Sequence, residues 1–326
     1  MPPEGPGGVF LGLNERAAAI AEAMVADALV LGVRASTLEN GARVVDCGIE
    51  APGGLEAGRL LAEACMGGGG RVGFTAVDVD GLHLPGVQVW TDHPAIACLG
   101  SQYAGWAIKP EGYFAMGSGP LRAIARVEHE LFERLGYAEP PSGPGVLVLE
   151  ARTPPNAAVA AYVAGKAGLT ADRLTFLVAP TASPAGGVQI SARVVETALH
   201  KMLELGFDVR NILTGFGTAP LAPIAKSDMR AIGRTNDCVL YGGMVHLTVR
   251  GEDGELEALA ARIPSSASRD YGTPFYDIFQ RYGGDFYKVD PHLFSPARVS
   301  LTNVKSGRTF AAGAVNAAVL RQSLIS

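Results

Sequence analysis

Helix-like and strand-like segments alternate along almost the whole chain, with glycine- or proline-bearing turns between them. That alternation restricts the fold to α/β or α+β with mixed sheets. Asn14 is the expected N-cap of a first helix over roughly 15–31, stopped by Gly32. Short β-branched runs follow at 33–38 and 42–47, and Pro52-Gly53-Gly54 opens a helix to about Met66. Strands are expected at 71–79 and 86–91, a helical stretch from Pro94, an extended run at 112–116, and one helix from Pro120 to about Leu135. EPPSGPG, residues 139–145, is the clearest linker-like interruption. Beyond it VLVLE (146–150) and LTFLVA (174–179) read as buried strands around a helix at 155–167. The second strand feeds a Pro/Gly-rich turn and one helix of roughly five turns, ending near Met202. A strand at 209–215, a helix at 226–237, an extended run at 238–250 and a polar helix at 254–262 come next. The chain then reads as an aromatic, loop-rich stretch over 263–297, a hairpin at 298–313 and a C-terminal helix.

The expected organisation is a tail over 1–13, a first α/β lobe over 14–138, and a second lobe over 146–326 whose final hairpin packs back on the first. PGGLEAGRLLAEA (52–64) resembles AGGVQISARVVETA (185–198), which suggests an internal duplication and two similar lobes with a cleft between them. The 42 glycines, where an average chain of this length carries about 23, fit many tight loops.

The long helix after residue 180 concentrates polar groups that a core does not need. Gln189, Arg193, Glu196 and His200 fall at i, i+4, i+7 and i+11 and so share one face. Val188, Val194, Val195, Leu199 and Met202 point elsewhere, into a core. If the polar face lines a cleft, Arg193 holds Glu196 ionised. If it faces water, the two form a surface ion pair of roughly 0–1 kcal/mol. Spacing alone does not choose.

Two further clusters stand out. Arg230 and Arg234 sit four apart on a helix ending in Thr-Asn-Asp, either an anion-gripping pair or a solvated face. The loop holding Ser265, Ser266, Ser268, Arg269, Asp270 and Tyr271 is either a plain loop or a source of hydroxyl and backbone donors for a phosphate or a pterin edge. Trp90 and Trp106 each lie near polar residues, which suits a planar heterocycle or a buried indole equally well.

Several classes are excluded. A net charge of −5 argues against an extended nucleic-acid surface, and the segments are too short or too charged to span a bilayer. There is no G-x-x-x-x-G-K-[ST] and no G-x-S-x-G, and Gly67–Gly70 follows a helix where a dinucleotide fingerprint follows a strand. The four cysteines form no C-x-x-C and the histidines no H-x-x-x-H, so metal-free chemistry and a reducing, cytoplasmic setting are expected. Asp78 and Asp80 share a strand face and read as solvated rather than as metal ligands.

GGVQISARVVETALHKM, MRAIGRTNDCVLYGG, SSASRDYGTPFYDIFQRYGGDFYKVDPHLFSPARV and WTDHPAIACLGSQYAGW together resemble methenyltetrahydromethanopterin cyclohydrolase, from about Asn14 to the C-terminus. The resemblance implies hydrolysis of the methenyl bridge of a folate-like one-carbon carrier to a formyl group. It implies two α/β lobes with the pterin between them, no metal or redox cofactor, a cytoplasmic homotrimer, and no nucleic-acid or membrane partner. The family's catalytic R-x-x-E falls on Arg193 and Glu196, with Gln189 and His200 as neighbours. A tetrahydrofolate or dephospho carrier, or a pterin-binding protein without catalysis, are the alternatives.

Overall fold

The computed structural model describes residues 11–285 and 288–325. Most of the expected tail, 1–10, and Phe286-Tyr287 of the resembling segment lie outside that description. Two compact units emerge: residues up to Gly70 with Ala95–Gly186, and Arg71–Pro94 with Gly187–Ser326. The chain therefore passes between units three times. The 139–145 segment expected to separate the lobes lies within the first unit.

The first unit begins with α1 (Leu13–Ala26), α2 (Ala28–Leu31), β1 (Arg34–Thr37), β2 (Arg43–Asp46) and α3 (Leu55–Cys65). Asn14 is not the N-cap; it lies inside α1 and is 1% exposed. Its amide donates to Pro120 O (2.9 Å) and Glu139 Oε2 (2.7 Å) and accepts from Val146 N (3.0 Å). Glu139 in turn accepts Leu13 N at 2.5 Å, satisfying a donor that a helix start leaves open. The linker-like stretch is thus pinned by a buried carboxylate, which is why the residues on either side of it stay in one unit.

The chain then supplies β3 (Arg71–Val79) and β4 (Leu82–Thr91) to the second unit before returning to the first. There a π-helical segment, Ala95–Gln102, precedes β5 (Trp106–Ile108), β6 (Ala115–Ser118), α4 (Leu121–Ala125), α5 (His129–Leu135), β7 (Gly145–Glu150), α6 (Ala157–Ala167) and β8 (Leu174–Ala179). The single helix expected from Pro120 is two. Arg126 turns left-handed (φ 49°), and fully buried Arg122 draws Glu128 back through its Nε (2.8 Å) while donating to Leu99 O and Ser101 O. The sheet order is β1-β2-β8-β7-β6-β5, with β2, β8 and β7 parallel. Val146 to Leu149 and Phe176 to Val178 are at most 1% exposed, the continuous apolar run that a sheet covered on both faces demands.

Within α7 (Pro184–Ser191) the chain enters the second unit for good. There follow α8 (Val194–Glu204), β9 (Ile212–Pro220), α9 (Asp228–Gly242), β10 (Met244–Val249), α10 (Asp253–Ala260), α11 (Phe275–Arg281), β11 (Arg298–Asn303), β12 (Thr309–Gly313) and α12 (Ala317–Ile325). Residues 238–242, expected as extended, finish α9 instead. The sheet order is β12-β11-β10-β9-β4-β3, so the terminal hairpin pairs inside the second unit and not in the first unit's sheet. Cys238, Tyr241, Phe275, Ile278, Leu293 and Leu320 form the core among α9, α11 and α12. All four cysteines are free and buried. Among the described residues no helix is long and apolar enough to cross a membrane.

The two units thus share an α/β construction and a six-stranded mixed sheet, but their pairing differs: the first has three adjacent parallel strands, the second only the β10–β11 parallel pair. The internal match of 52–64 with 185–198 falls on α3 and on α7–α8. Arg59 on α3 bridges Glu56 and Glu63.

Candidate active site

The turn from β8 into α7 is built by its sequence. Ser183 is the N-cap, with its Oγ accepting Gly186 N (3.0 Å) and donating to Pro180 O (2.8 Å), and Pro184 takes the first helical position where no N–H is needed. Gly186 is required, because a Cβ there would lie 2.1 Å from Pro180 O.

The expected five-turn helix breaks after Ser191. Arg193 N bonds Ile190 O (3.0 Å), an i→i+3 closure, and α8 restarts at Val194 with Arg193 as its cap. No proline or glycine sits at the break, so a periodicity argument had nothing to detect. Glu196 then falls in the first turn of α8, where the positive end of the helix dipole favours negative charge. Its side chain belongs to a residue only 5% exposed. Gln189, 4% exposed, accepts from Arg193 Nε at 3.0 Å and so fixes the guanidinium across the break. His200 is half-buried and its Nε2 lies 3.9 Å from Glu204 Oε1. The structure thus joins Gln189 directly to Arg193 and places His200 beside Glu204.

What holds Glu196 in position is the sheet beneath. Val194, Val195, Leu199 and Met202 are fully buried, as their spacing predicted. A Cβ on Gly215 would lie 2.8 Å from Val195 Cγ1, and one on Gly217 would lie 2.9 Å from Val194 Cγ1 and Val195 Cγ2. The Gly-Phe-Gly of β9 lets α8 rest on the sheet backbone.

The serine-rich loop is braced internally. Ser265 Oγ donates to Leu240 O, Ser268 Oγ to Asp290 Oδ2 (2.7 Å), and Tyr282 Oη to Asp270 Oδ1 (3.0 Å). Tyr271 packs on Tyr241 with ring centres 5.2 Å apart and accepts from Asn316 Nδ2 (3.2 Å). Ser266 and Arg269 are exposed. Arg230 and Arg234 do come together, lining one cavity with Tyr276 and Ser323. Trp90, 41% exposed, is opposite Phe216 in the second unit, whereas Trp106 is buried in the first. Asp78 accepts Gly81 N in a turn.

In the second unit, sequence reasoning missed three buried charged groups. Lys201, 2% exposed, donates to His292 O at 2.6 Å, and burial pulls its ammonium down to about 8 against the opposing pull of Asp290. Burial raises Asp290 as well, but Ser268 Oγ and the N–H groups of His292 and Arg269 outweigh it and hold the carboxyl below its ordinary value. Burial pushes Asp237 up to about 7, although it accepts Ser323 Oγ (2.6 Å) and Phe275 N (2.8 Å). A lone Lys within ETALHKM, otherwise apolar toward the core, was the available signal for the first.

The match to known proteins gives the chain its class. Residues 12–324 match the family described as cyclohydrolase (MCH), so the protein is an enzyme of the ring-opening hydrolase kind. The chain belongs to that family. It is 47% identical over 305 residues to the methenyltetrahydromethanopterin cyclohydrolase of Methylobacterium sp. (strain 4-46), covering 92% of this chain and 94% of that one. It is 44% identical to the enzyme of the same name from Methanocaldococcus jannaschii, covering 97% and 98%. With that from Methanococcoides burtonii the identity is 42%, covering 96% and 98%.

Proposed function

We propose that the chain hydrolyses the methenyl bridge of methenyltetrahydromethanopterin to the formyl derivative, with Glu196 carrying the protons and Arg193 holding Glu196 or the attacking water. The bridging carbon lies between two nitrogens that share a positive charge and is already electrophilic. Hydrolysis needs a water delivered to one face, a proton removed during attack, and a proton given to the departing nitrogen. One carboxylate performs both transfers in sequence. Its charge also favours the cationic substrate over the neutral product.

The observation that carries this reading is a 5% exposed glutamate in the first turn of α8, three residues from an arginine that Gln189 fixes. A glutamate out of water keeps its charge only with help, and a neighbouring guanidinium supplies it. Gln189 then sets the aim of Arg193, and His200 and the 265–271 loop complete the pterin's surroundings. The proposal calls on no metal or other cofactor. Its acid–base chemistry is complete with the carboxylate and water. The working form is a cytoplasmic homotrimer.

Loss of the methenyl absorbance under excess substrate tests the proposal. Glu196→Gln is expected to bind the pterin and lose turnover by several orders of magnitude; near-normal turnover removes Glu196 from the mechanism. The methenyl form of tetrahydrofolate serves as the competing substrate.

A further inference from the structure

We infer that Lys201 is a positioning residue for the hydrolysis proposed above. From the buried side of α8 it holds the 268–271 half of the serine-rich loop to the helix that carries Glu196. The kinetic consequence rests on that hydrolysis; the fastening itself rests on contacts alone.

Lys201 follows Glu196 by five residues in α8, about 7.5 Å along the axis and about 140° around it. It therefore does not share the face proposed to meet the substrate. Its ammonium, on a residue 2% exposed, donates to His292 O at 2.6 Å. Asp290 attracts that ammonium and Arg262 opposes it. Asp290 caps the short turn Pro291–Leu293 by accepting His292 N at 3.0 Å, and Leu293 is fully buried in the core. Its other carboxylate oxygen accepts Ser268 Oγ (2.7 Å) and Arg269 N (3.2 Å). Asp290 N in turn donates to Asp270 Oδ2 at 2.9 Å. One buried lysine thus reaches three consecutive loop residues through Asp290. An apolar side chain would avoid the desolvation of a buried cation, but it could neither hold the turn's carbonyl nor answer the Asp290 charge.

The front of the loop is fastened separately. Ser265 Oγ donates to Leu240 O near the end of α9. A Cβ on Gly243, just past that end, would lie 3.0 Å from Val194 Cγ2 at the start of α8. The loop is therefore secured to α8 at two places, two residues before Glu196 and again at Lys201. Ser265, Ser268 and Asp270 are buried and committed to this bracing, whereas Ser266 and Arg269 are exposed. Polar side chains standing out from a braced frame are ordered before a ligand arrives, which lowers the cost of binding it.

The test is steady-state kinetics with the methenyl carrier, together with amide exchange in the free protein. Lys201→Met keeps an unbranched apolar stem and removes the charge. It leaves the Ser265 fastening and the glycine seat of Glu196 in place, so KM is expected to rise at least about tenfold while kcat stays within about threefold. Exchange at the Arg269 and Asp290 amides should quicken. Mere loss of folded protein would lower kcat per mole of chain and leave KM as it was. Asp290→Asn should raise KM in the parent and add less than about twofold to Lys201→Met, because both act through one connection. Where the methionine variant does not fold, Asp290→Asn alone carries the test. Lys305→Met breaks an exposed pair with Glu252 and should leave both constants unchanged. Parental KM in Lys201→Met and Asp290→Asn, or parental exchange at Arg269 in Lys201→Met, overturns the inference. Glu196→Gln reports on the acid–base reading separately, through kcat, so failure of that reading leaves the KM result standing.

Discussion

Replacing Gly217 by alanine should displace the proposed acid–base residue without touching it. The added methyl would sit 2.9 Å from both Val194 Cγ1 and Val195 Cγ2, some 0.5–1 Å inside the ordinary carbon–carbon contact of about 3.5–4.0 Å. Both valines are fully buried and β-branched, so neither can swing aside through χ1. The relief left is a shift of the α8 start itself. Overpacking of this kind costs about 1–3 kcal/mol. A displacement approaching 1 Å at Glu196 costs up to about 10²-fold in rate where geometry is tight.

The expected result is a modest fall in unfolding temperature with a tenfold or greater fall in kcat, on the order set by that displacement. Gly254→Ala in α10 is the control. A Cβ there meets nothing within 4 Å, so the variant should gain up to about 1 kcal/mol and keep its kcat. Gly217 has no positive φ, so the substitution tests crowding and not backbone strain. If Gly217→Ala loses stability but hydrolyses at the parent rate, the claim that β9 sets the position of Glu196 is refuted.

Other variants probe the buried charges. Asp237 holds its proton to about pH 7 in the folded chain but releases it near 3.8 when unfolded, so the folded state binds more protons between those limits and stability falls as pH rises through them. Asp237→Asn should abolish that slope, worth up to about 4 kcal/mol, in urea unfolding at pH 5 and 7.5; an unchanged slope would show the carboxyl to be ionised throughout. Lys201 has the opposite linkage: with its folded value near 8 and its ordinary value 10.5, stability should rise with pH over that window, and Lys201→Met should flatten the rise. Asn14→Ala should destabilise the first unit by about 1–3 kcal/mol, because Val146 N and Glu139 each lose a buried partner, and should speed amide exchange at the start of β7.

The parts of the fold that were legible are those where one physical rule acts alone. β8 ends where LTFLVA ends, because a doubly covered strand must be apolar throughout. Val188, Val194, Val195, Leu199 and Met202 are buried as their spacing predicted, since helix periodicity survives on either side of a single break. The illegible parts are those where a distant partner overrides a local signal. Asn14 has the chemistry of a cap, yet Pro120, Glu139 and Val146 together offer its amide more hydrogen bonds than a helix start could. EPPSGPG has the composition of a linker, and its one carboxylate makes it an anchor. The boundary between units was hidden for the same reason: β4, with β3 on its other edge, pairs with β9, more than a hundred residues later, and no local pattern records that choice. The candidate site combines both cases. The polar face at Gln189, Arg193 and Glu196 was visible from spacing, but the break that separates Gln189 from Glu196, and the two glycines that seat α8, depend on a strand that the helix meets only in three dimensions. A substitution on β9 is therefore a stricter test of this site than one on the helix, because the helix variants follow from the sequence pattern alone.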